Sequence, residues 1–188
     1  MLNYHDTHGR MPPAVVYGED GQPLYSWRVL ILPFIEYEEL YKQFHLDEPW
    51  DSPHNITLLP KMPRTYALPW RSAAKMKMPP HHTIMHVFVG RNAAFEGTEG
   101  LRLRQDFPDG MSNTILVIEA GKPVPWTKPE NLPYHPDEPL PELQSPFRDG
   151  FRVNLGDGST RWVSKTISEA TLRAAITRNG HDAPGKDW

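Results

Sequence analysis

Proline is the feature of this sequence that most restricts the fold. The 188-residue chain contains 21 prolines, spread from Pro12 to Pro184. Because proline lacks a backbone N–H, it interrupts both helix interiors and central strands. Thirteen glycines add further positions suited to turns. The sequence therefore predicts short helices and strands joined by long ordered loops.

Composition argues against several classes of protein. The 20 basic and 23 acidic residues give a net charge of −3, so no basic footprint for DNA or RNA stands out. Cysteine is absent, which excludes disulfides, Cys-ligated zinc and a thiol nucleophile. No apolar run reaches the roughly 18 residues that a membrane span requires. The chain length suits one domain, and we expect residues 1–188 to share one fold.

Alternating and β-branched segments predict a sheet in the second half of the chain. Residues 83–89 alternate as a strand does, and residues 114–119 form a second apolar run. Segments 151–156 and 159–163 flank Asp157-Gly158, which predicts a hairpin with a two-residue type I′ turn. We therefore expect an α+β fold, with an antiparallel sheet of about four strands covered on one face by helices.

The helical segments have recognisable ends. Residues 2–8 resemble the last turn of a helix that stops at Gly9. A second helix should begin at Trp27 and be kinked or split at Pro33. Ser52 followed by Pro53 predicts a short helix through Leu59.

Near the C-terminus, Ser168 should cap a helix that runs through Arg178 and buries Leu172, Ala175 and Ile176. The tail from His181 is expected to fray.

A proline-rich segment from Gly121 to Asp149 is expected to form one long loop. Thr127 and Glu130 have the spacing of a capping box, which predicts a single helical turn at Lys128–Leu132. Loops of this length in compact domains are often functional. We expect variable protein contacts to be made here.

Six ordered segments resemble the planctomycete prepilin-type proteins that share domain of unknown function 1559. They are Leu2-Asn-Tyr-His-Asp-Thr-His-Gly-Arg-Met-Pro-Pro-Ala14, Ser26-Trp-Arg-Val-Leu-Ile-Leu-Pro33, Phe44-His-Leu-Asp-Glu-Pro-Trp-Asp-Ser-Pro-His-Asn55, Asp109-Gly-Met-Ser-Asn-Thr-Ile-Leu-Val-Ile-Glu119, Val124-Pro-Trp-Thr-Lys-Pro129 and Gly156-Asp-Gly-Ser-Thr-Arg-Trp162. Together they extend over nearly the whole chain.

This resemblance implies a pilin-like or pseudopilin-like head with long loops, acting in secretion or bacterial surface assembly. Such proteins are anchored through an N-terminal apolar spine helix and face the periplasm or the cell surface. The sequence as given starts after the position of that helix, so membrane attachment is expected only through a segment that is missing here. One departure concerns Phe147, which occupies a position where many members of the family carry a histidine.

Calcium is the one cofactor for which the sequence offers candidate ligands. Asp106, Asp109, Ser112 and Asn113 offer oxygen ligands within eight residues, as a loop that binds a hard cation would. The alternative is an ordinary Asp-Gly turn with Asn113 bonded to the backbone. A zinc site at His81, His82 and His86 is disfavoured, since residues 82 and 86 of a strand lie about 13 Å apart.

A glycan or small-ligand binding module is the alternative function. Trp126, Trp50 and Trp70 could supply aromatic faces that stack on sugar rings, as could the other tryptophans, Trp27, Trp162 and Trp188. Two or more tryptophans exposed in one groove would favour this function, and buried tryptophans would favour a structural role.

A hydrolase is the weaker alternative. It would need a carboxylate pair from Glu36, Asp47, Glu48 and Asp51, whose separation the sequence does not define. No Gly-x-Ser-x-Gly motif for a nucleophilic serine is present. We name no catalytic residues, and we expect a non-enzymatic protein that acts through protein partners or self-assembly.

Overall fold

A four-stranded antiparallel sheet forms the centre of the molecule, and the computed structural model describes all 188 residues. Its strands are β3 (His82–His86), β5 (Ile115–Pro125), β7 (Gly150–Leu155) and β8 (Thr160–Ser164), in the order β3-β5-β7-β8. Met85 lies opposite Glu119, and Arg152 lies opposite Trp162. The predicted α+β fold with a four-stranded antiparallel sheet is confirmed.

The remaining elements are short, as the proline content predicts. The helices are α1 (Leu2–His8), α2 (Trp27–Leu30), α3 (Glu38–Tyr41), α4 (Trp70–Lys75) and α5 (Glu169–Ile176), with 3₁₀ turns at Leu32–Ile35, Asn55–Lys61 and Arg64–Tyr66. Strands β1 (Val15–Tyr17) and β2 (Pro23–Ser26) form an antiparallel hairpin, whereas β4 (Phe88–Gly90) and β6 (Leu132–Tyr134) pair in parallel. None of the helices combines the length and the apolar character needed to cross a bilayer.

Apolar residues pack on both faces of the central sheet. On one face, Leu172 and Ile176 of α5 share a core with Ile118, Phe151 and Val153. The other face carries a second core, built mainly from the N-terminal half of the chain. Its large aromatic side chains include Trp27, Phe44, Tyr66 and Trp126. The expectation that helices cover only one face is therefore too simple. The N-terminal half covers β3 and β5, and Arg152 of β7 and Trp162 of β8 stay exposed on that face.

Several local predictions are confirmed. Helix α1 ends at Gly9, which has a φ of 71° and donates its N–H to the carbonyl of His5. The segment after Trp27 is split into α2, a 3₁₀ turn and α3. Ser168 caps α5 by accepting a hydrogen bond from the N–H of Thr171.

Other elements start or end at different residues than predicted. The turn after Pro53 is a 3₁₀ helix that starts at Asn55, although the Ser52 hydroxyl does accept the Asn55 N–H at 3.1 Å. The strand predicted at residues 83–89 divides after His86, because β4 leaves the central sheet to pair with β6.

The predicted loop after Gly121 is wrong in its first part. Strand β5 continues to Pro125, and β6 begins at Leu132, so no helical turn forms at Lys128–Leu132. The Thr127 side chain cannot cap such a turn, because it is fully buried and its hydroxyl has no hydrogen-bond partner.

Candidate functional site

An apolar groove lies on the sheet face opposite α5. Its volume is about 220 Å³, and it is bordered by side chains from α1, the 3₁₀ turns and the sheet. The apolar residues that line it include Met1, Leu2, Ile31, Ile35, Tyr66, Met85, Val117 and Leu155. Ile35 and Met85 are only partly buried, so apolar surface stays in contact with water.

Helix α1 has its N-terminal end at this groove. Met1 and Leu2 both line it. Further along α1, the rings of Tyr4 and His8 stack on each other and both meet Phe34 edge-on. These contacts hold α1 against the N-terminal half of the molecule.

An acidic cleft of about 860 Å³ lies between the β1–β2 turn and residues 47–51. Four of its residues are the carboxylates Glu19, Asp20, Asp47 and Asp51. None of the four forms a salt bridge, and no lysine or arginine lines the cleft. Tyr17, which is 46% exposed, and Trp50 add aromatic surface. The cleft can therefore offer hydrogen-bond acceptors and negative charge next to aromatic rings.

A buried guanidinium lies at the outer edge of β3. The Nε and Nη2 atoms of Arg28 both donate to the carbonyl of Met85, at 2.9 and 2.5 Å, and Nη1 donates to the Ser26 hydroxyl at 2.8 Å. The Trp27 ring lies 5.1 Å from the guanidinium carbon. Arg28 forms no salt bridge, and burial lowers its pKa to about 10. Neutral oxygens and an aromatic face therefore stabilise its charge, with a further through-space contribution from the Glu130 carboxylate.

His86 lies near this arginine at the end of β3. In its neutral form the Nε2–H donates to the carbonyl of Lys122 at 2.9 Å, which leaves Nδ1 buried without a partner. Burial, with a further contribution from the positive charge of Arg28, lowers the pKa of His86 to about 4. A neutral imidazole is the expected form at pH 7. His81 and His82 lie before β3 and at its start, and no three His, Asp or Glu side chains are placed to share a metal ion.

The four residues considered for calcium are close in sequence but already bonded to other groups. The Asp106 carboxylate accepts the Arg102 N–H at 2.7 Å. The two Asp109 carboxylate oxygens accept the N–H groups of Gly180 and His181, at 2.6 and 3.0 Å. Asn113 donates to the backbone carbonyl of Asp109, and Ser112 is exposed. A calcium ion bound by these carboxylates would have to compete with the bonds that attach the C-terminal tail.

The tryptophans considered for ligand binding are dispersed. Trp126 is fully buried, and its Nε1–H donates to the carbonyl of Leu59. Trp70 is 74% exposed on α4, and Trp50 lines the acidic cleft without either of the others. Trp27 is buried and Trp162 is exposed at the edge of the sheet. One tryptophan and one tyrosine, not a row of tryptophans, are thus available to a ligand in the cleft.

The four carboxylates considered for a hydrolase do not lie together in one site either. Asp47 and Asp51 line the acidic cleft. Glu48 accepts hydrogen bonds from His45 and Ser52, which lower its pKa, and Glu36 ends a 3₁₀ turn with a φ of 68°. Sequence patterns alone do not reveal the Arg28 cluster or the apolar groove, and the Ser26-Trp-Arg28 segment is the one local signal near them.

Comparisons with known proteins give one match. The family described as protein of unknown function (DUF1559) matches residues 1–136, which is more than half of the chain. No curated protein and no solved structure matches this chain. On the family match, which includes the acidic cleft, Arg28 and most of the groove, this chain belongs to the DUF1559 family.

Proposed function

We propose that this protein is a non-enzymatic, pilin-like structural component that assembles at the bacterial surface through protein contacts. The supporting observation is the apolar groove at the N-terminal end of α1, together with the resemblance to prepilin-type proteins. An exposed apolar groove between a helix and a sheet is suited to an amphipathic or apolar helix from an assembly partner. Burial of its half-exposed side chains would contribute roughly 25 cal/mol for each Å² removed from water.

Site-directed cross-linking tests this function. Because the native chain has no cysteine, Ile35→Cys places a single thiol in the groove. We expect benzophenone-4-maleimide, coupled to this thiol and irradiated on intact producing cells, to insert into a C–H bond of the partner and give cross-linked species of higher mass. Mass spectrometry should then identify an apolar helical peptide at the cross-link, because such a segment would lie against residue 35.

Ile56→Cys is the matched control. Ile56 is also an isoleucine on a 3₁₀ turn, is 38% exposed, and does not line the groove. This variant should stay monomeric on the same gels. Equal labelling of both variants without any product specific to Ile35→Cys would contradict the proposal.

The acidic cleft supports a second candidate function, the binding of a glycan. Four carboxylates without basic partners, beside Tyr17 and Trp50, favour a sugar that carries amino groups. Glucosamine oligomers should therefore quench Trp50 fluorescence and bind more tightly than their N-acetylated forms, which lack the positive charge. Trp50→Ala should abolish binding and Trp70→Ala should not. Equal binding by the two variants, or no binding of either oligomer, would contradict this function.

A further inference from the structure

The two outer edges of the central sheet differ in how their backbone groups are satisfied. On β3, Arg28 occupies the Met85 carbonyl, and the Met85 N–H donates to the Thr83 hydroxyl at 3.1 Å. On the opposite side, β8 is the last strand, with no strand beyond it. Unpaired edge strands are templates for pairing with another chain.

The hydrogen bonds to β7 define which groups of β8 face outward. Bonds from Leu155 N–H to the Ser159 carbonyl and from Lys165 N–H to the Asp149 carbonyl place odd-numbered residues in hydrogen-bonded pairs with β7. The backbone groups of Thr160, Trp162 and Ser164 therefore point away from the sheet, and of these the Ser164 carbonyl already accepts the Ile167 N–H at 3.2 Å. Strand β8 contains no proline, and its register with β7 has no bulge.

The charges along this strand discriminate between possible registers of a second, antiparallel β8. Pairing centred on residue 161 sets Arg161 directly opposite its own copy, and pairing centred on residue 163 sets Arg161 opposite Lys165. Like charges directly opposite each other destabilise a ladder. Pairing centred on Trp162 avoids both contacts, and it places Thr160 opposite Ser164 and Arg161 opposite Val163.

The side chain of Trp162 also suits a symmetric contact. It is 51% exposed on the sheet face opposite α5, with Phe147 edge-on at 5.3 Å. A Cβ on Gly150 would lie 2.7 Å from the Trp162 Nε1, so the absence of a side chain there leaves room for the indole. Across a twofold axis the two Trp162 side chains would stand directly opposite each other, and each indole would turn from Gly150 toward the axis to form an aromatic cross-strand pair.

We propose that β8 pairs antiparallel with β8 of a second copy of this chain, centred on Trp162, to form a symmetric dimer with a continuous eight-stranded sheet. This inference rests on the sheet edge and the register, and does not depend on the proposed function at the groove. The twofold axis is perpendicular to the sheet, so both apolar grooves lie on the same face of the dimer.

A disulfide across the axis tests the register. Hydrogen-bonded antiparallel pairs have Cα atoms about 5.5 Å apart, which is within disulfide range. The purified Trp162→Cys protein should therefore form a covalent dimer under mild oxidation. Trp70→Cys is the control, because residue 70 is more exposed, at 74%, yet lies on α4. Covalent dimer no more abundant in Trp162→Cys than in Trp70→Cys would overturn the proposed register.

Sedimentation of the cysteine-free protein tests the edge itself. The Trp162 N–H points outward, so Trp162→Pro removes a donor to the second copy without removing a bond to β7. We expect the native chain to sediment as a concentration-dependent dimer and the Trp162→Pro variant as a monomer. Circular dichroism identifies any loss of fold, and the disulfide test then decides independently. A dimer that persists in a folded Trp162→Pro variant, or a native chain that is monomeric at every concentration and forms no covalent dimer as Trp162→Cys, would refute the inference.

Discussion

Arg28 carries its positive charge at a fully buried position where no carboxylate bonds to it directly and Glu130 acts on it only through space. Its planar group bridges β3, Ser26 and the Trp27 ring, and thereby attaches the N-terminal half of the chain to the central sheet. An ammonium group cannot reproduce the fork that donates twice to the Met85 carbonyl. The identity of this residue, more than its charge, is therefore expected to matter.

Substitution of Arg28 tests this interpretation. Arg28→Lys retains a buried charge but loses the fork, and we expect it to lower the free energy of unfolding by about 3–5 kcal/mol. Arg28→Met removes the charge and leaves the Met85 carbonyl without its donors, which should cost about 1–3 kcal/mol. Urea unfolding followed by tryptophan fluorescence measures both values. A lysine variant as stable as the native chain would contradict the proposed role of the guanidinium.

At the scale of elements, the sequence predicted secondary structure best where a local signal determined the outcome. The Gly9 stop and the Ser168 cap depend on neighbouring residues and appear as expected. All four predicted strands are present, although the first divides after His86 and the second continues to Pro125. The hairpin at Asp157-Gly158 forms, but its type I′ turn is wrong. Only Gly158 has a positive φ, at 86°, and Leu155 N–H bonds to the Ser159 carbonyl, so the loop has three residues.

Elements that depend on distant partners could not be located from local patterns. Strand β5 extends through Gly121 to Pro125 because β3 pairs with it there, with His82 opposite Pro125. The C-terminal tail does not fray as predicted. Asp187 accepts the Ser168 N–H at 2.6 Å, and Asp109 holds the backbone of Gly180 and His181. These bonds join residues more than 15 positions apart.

The candidate sites were less predictable than the fold for the same reason. Trp50 and the carboxylates Asp47 and Asp51 are neighbours in the sequence and meet in the acidic cleft. Glu19 and Asp20 reach that cleft only because β1 and β2 form a hairpin. The groove collects residues from Met1 to Gly158, so no periodicity along the chain could reveal it.

At the scale of the whole molecule, His86 makes the free energy of unfolding depend on pH. Its pKa is about 4 in the folded protein, below the value of about 6.5 expected for an unfolded chain. Since the unfolded state binds the proton first, the native state has its full stability above pH 6.5 and loses it as the pH falls toward 4. At pH 4 the lowered pKa of His86 corresponds to a loss of about 3 kcal/mol in the free energy of unfolding.

Urea unfolding measured between pH 7 and pH 4 checks this linkage. The native chain should lose stability steadily, whereas His86→Gln should lose much less over the same range, because the amide has no proton to gain. Carboxyl groups whose pKa is lowered in the fold, such as Asp106 and Asp187, act at lower pH and are common to both proteins. Parallel curves for the two proteins would show that another group is responsible.

The guanidinium on the outer side of β3 has a consequence for how far association can proceed. A sheet in which both edge strands are unpaired could add further copies without limit, as fibrils do. Here Arg28 and the Thr83 hydroxyl already occupy the backbone groups of Met85 on β3, so β8 is the edge of the central sheet that stays available for pairing with another strand. Association through β8 would therefore terminate at two copies, and any longer filament would have to use a different surface.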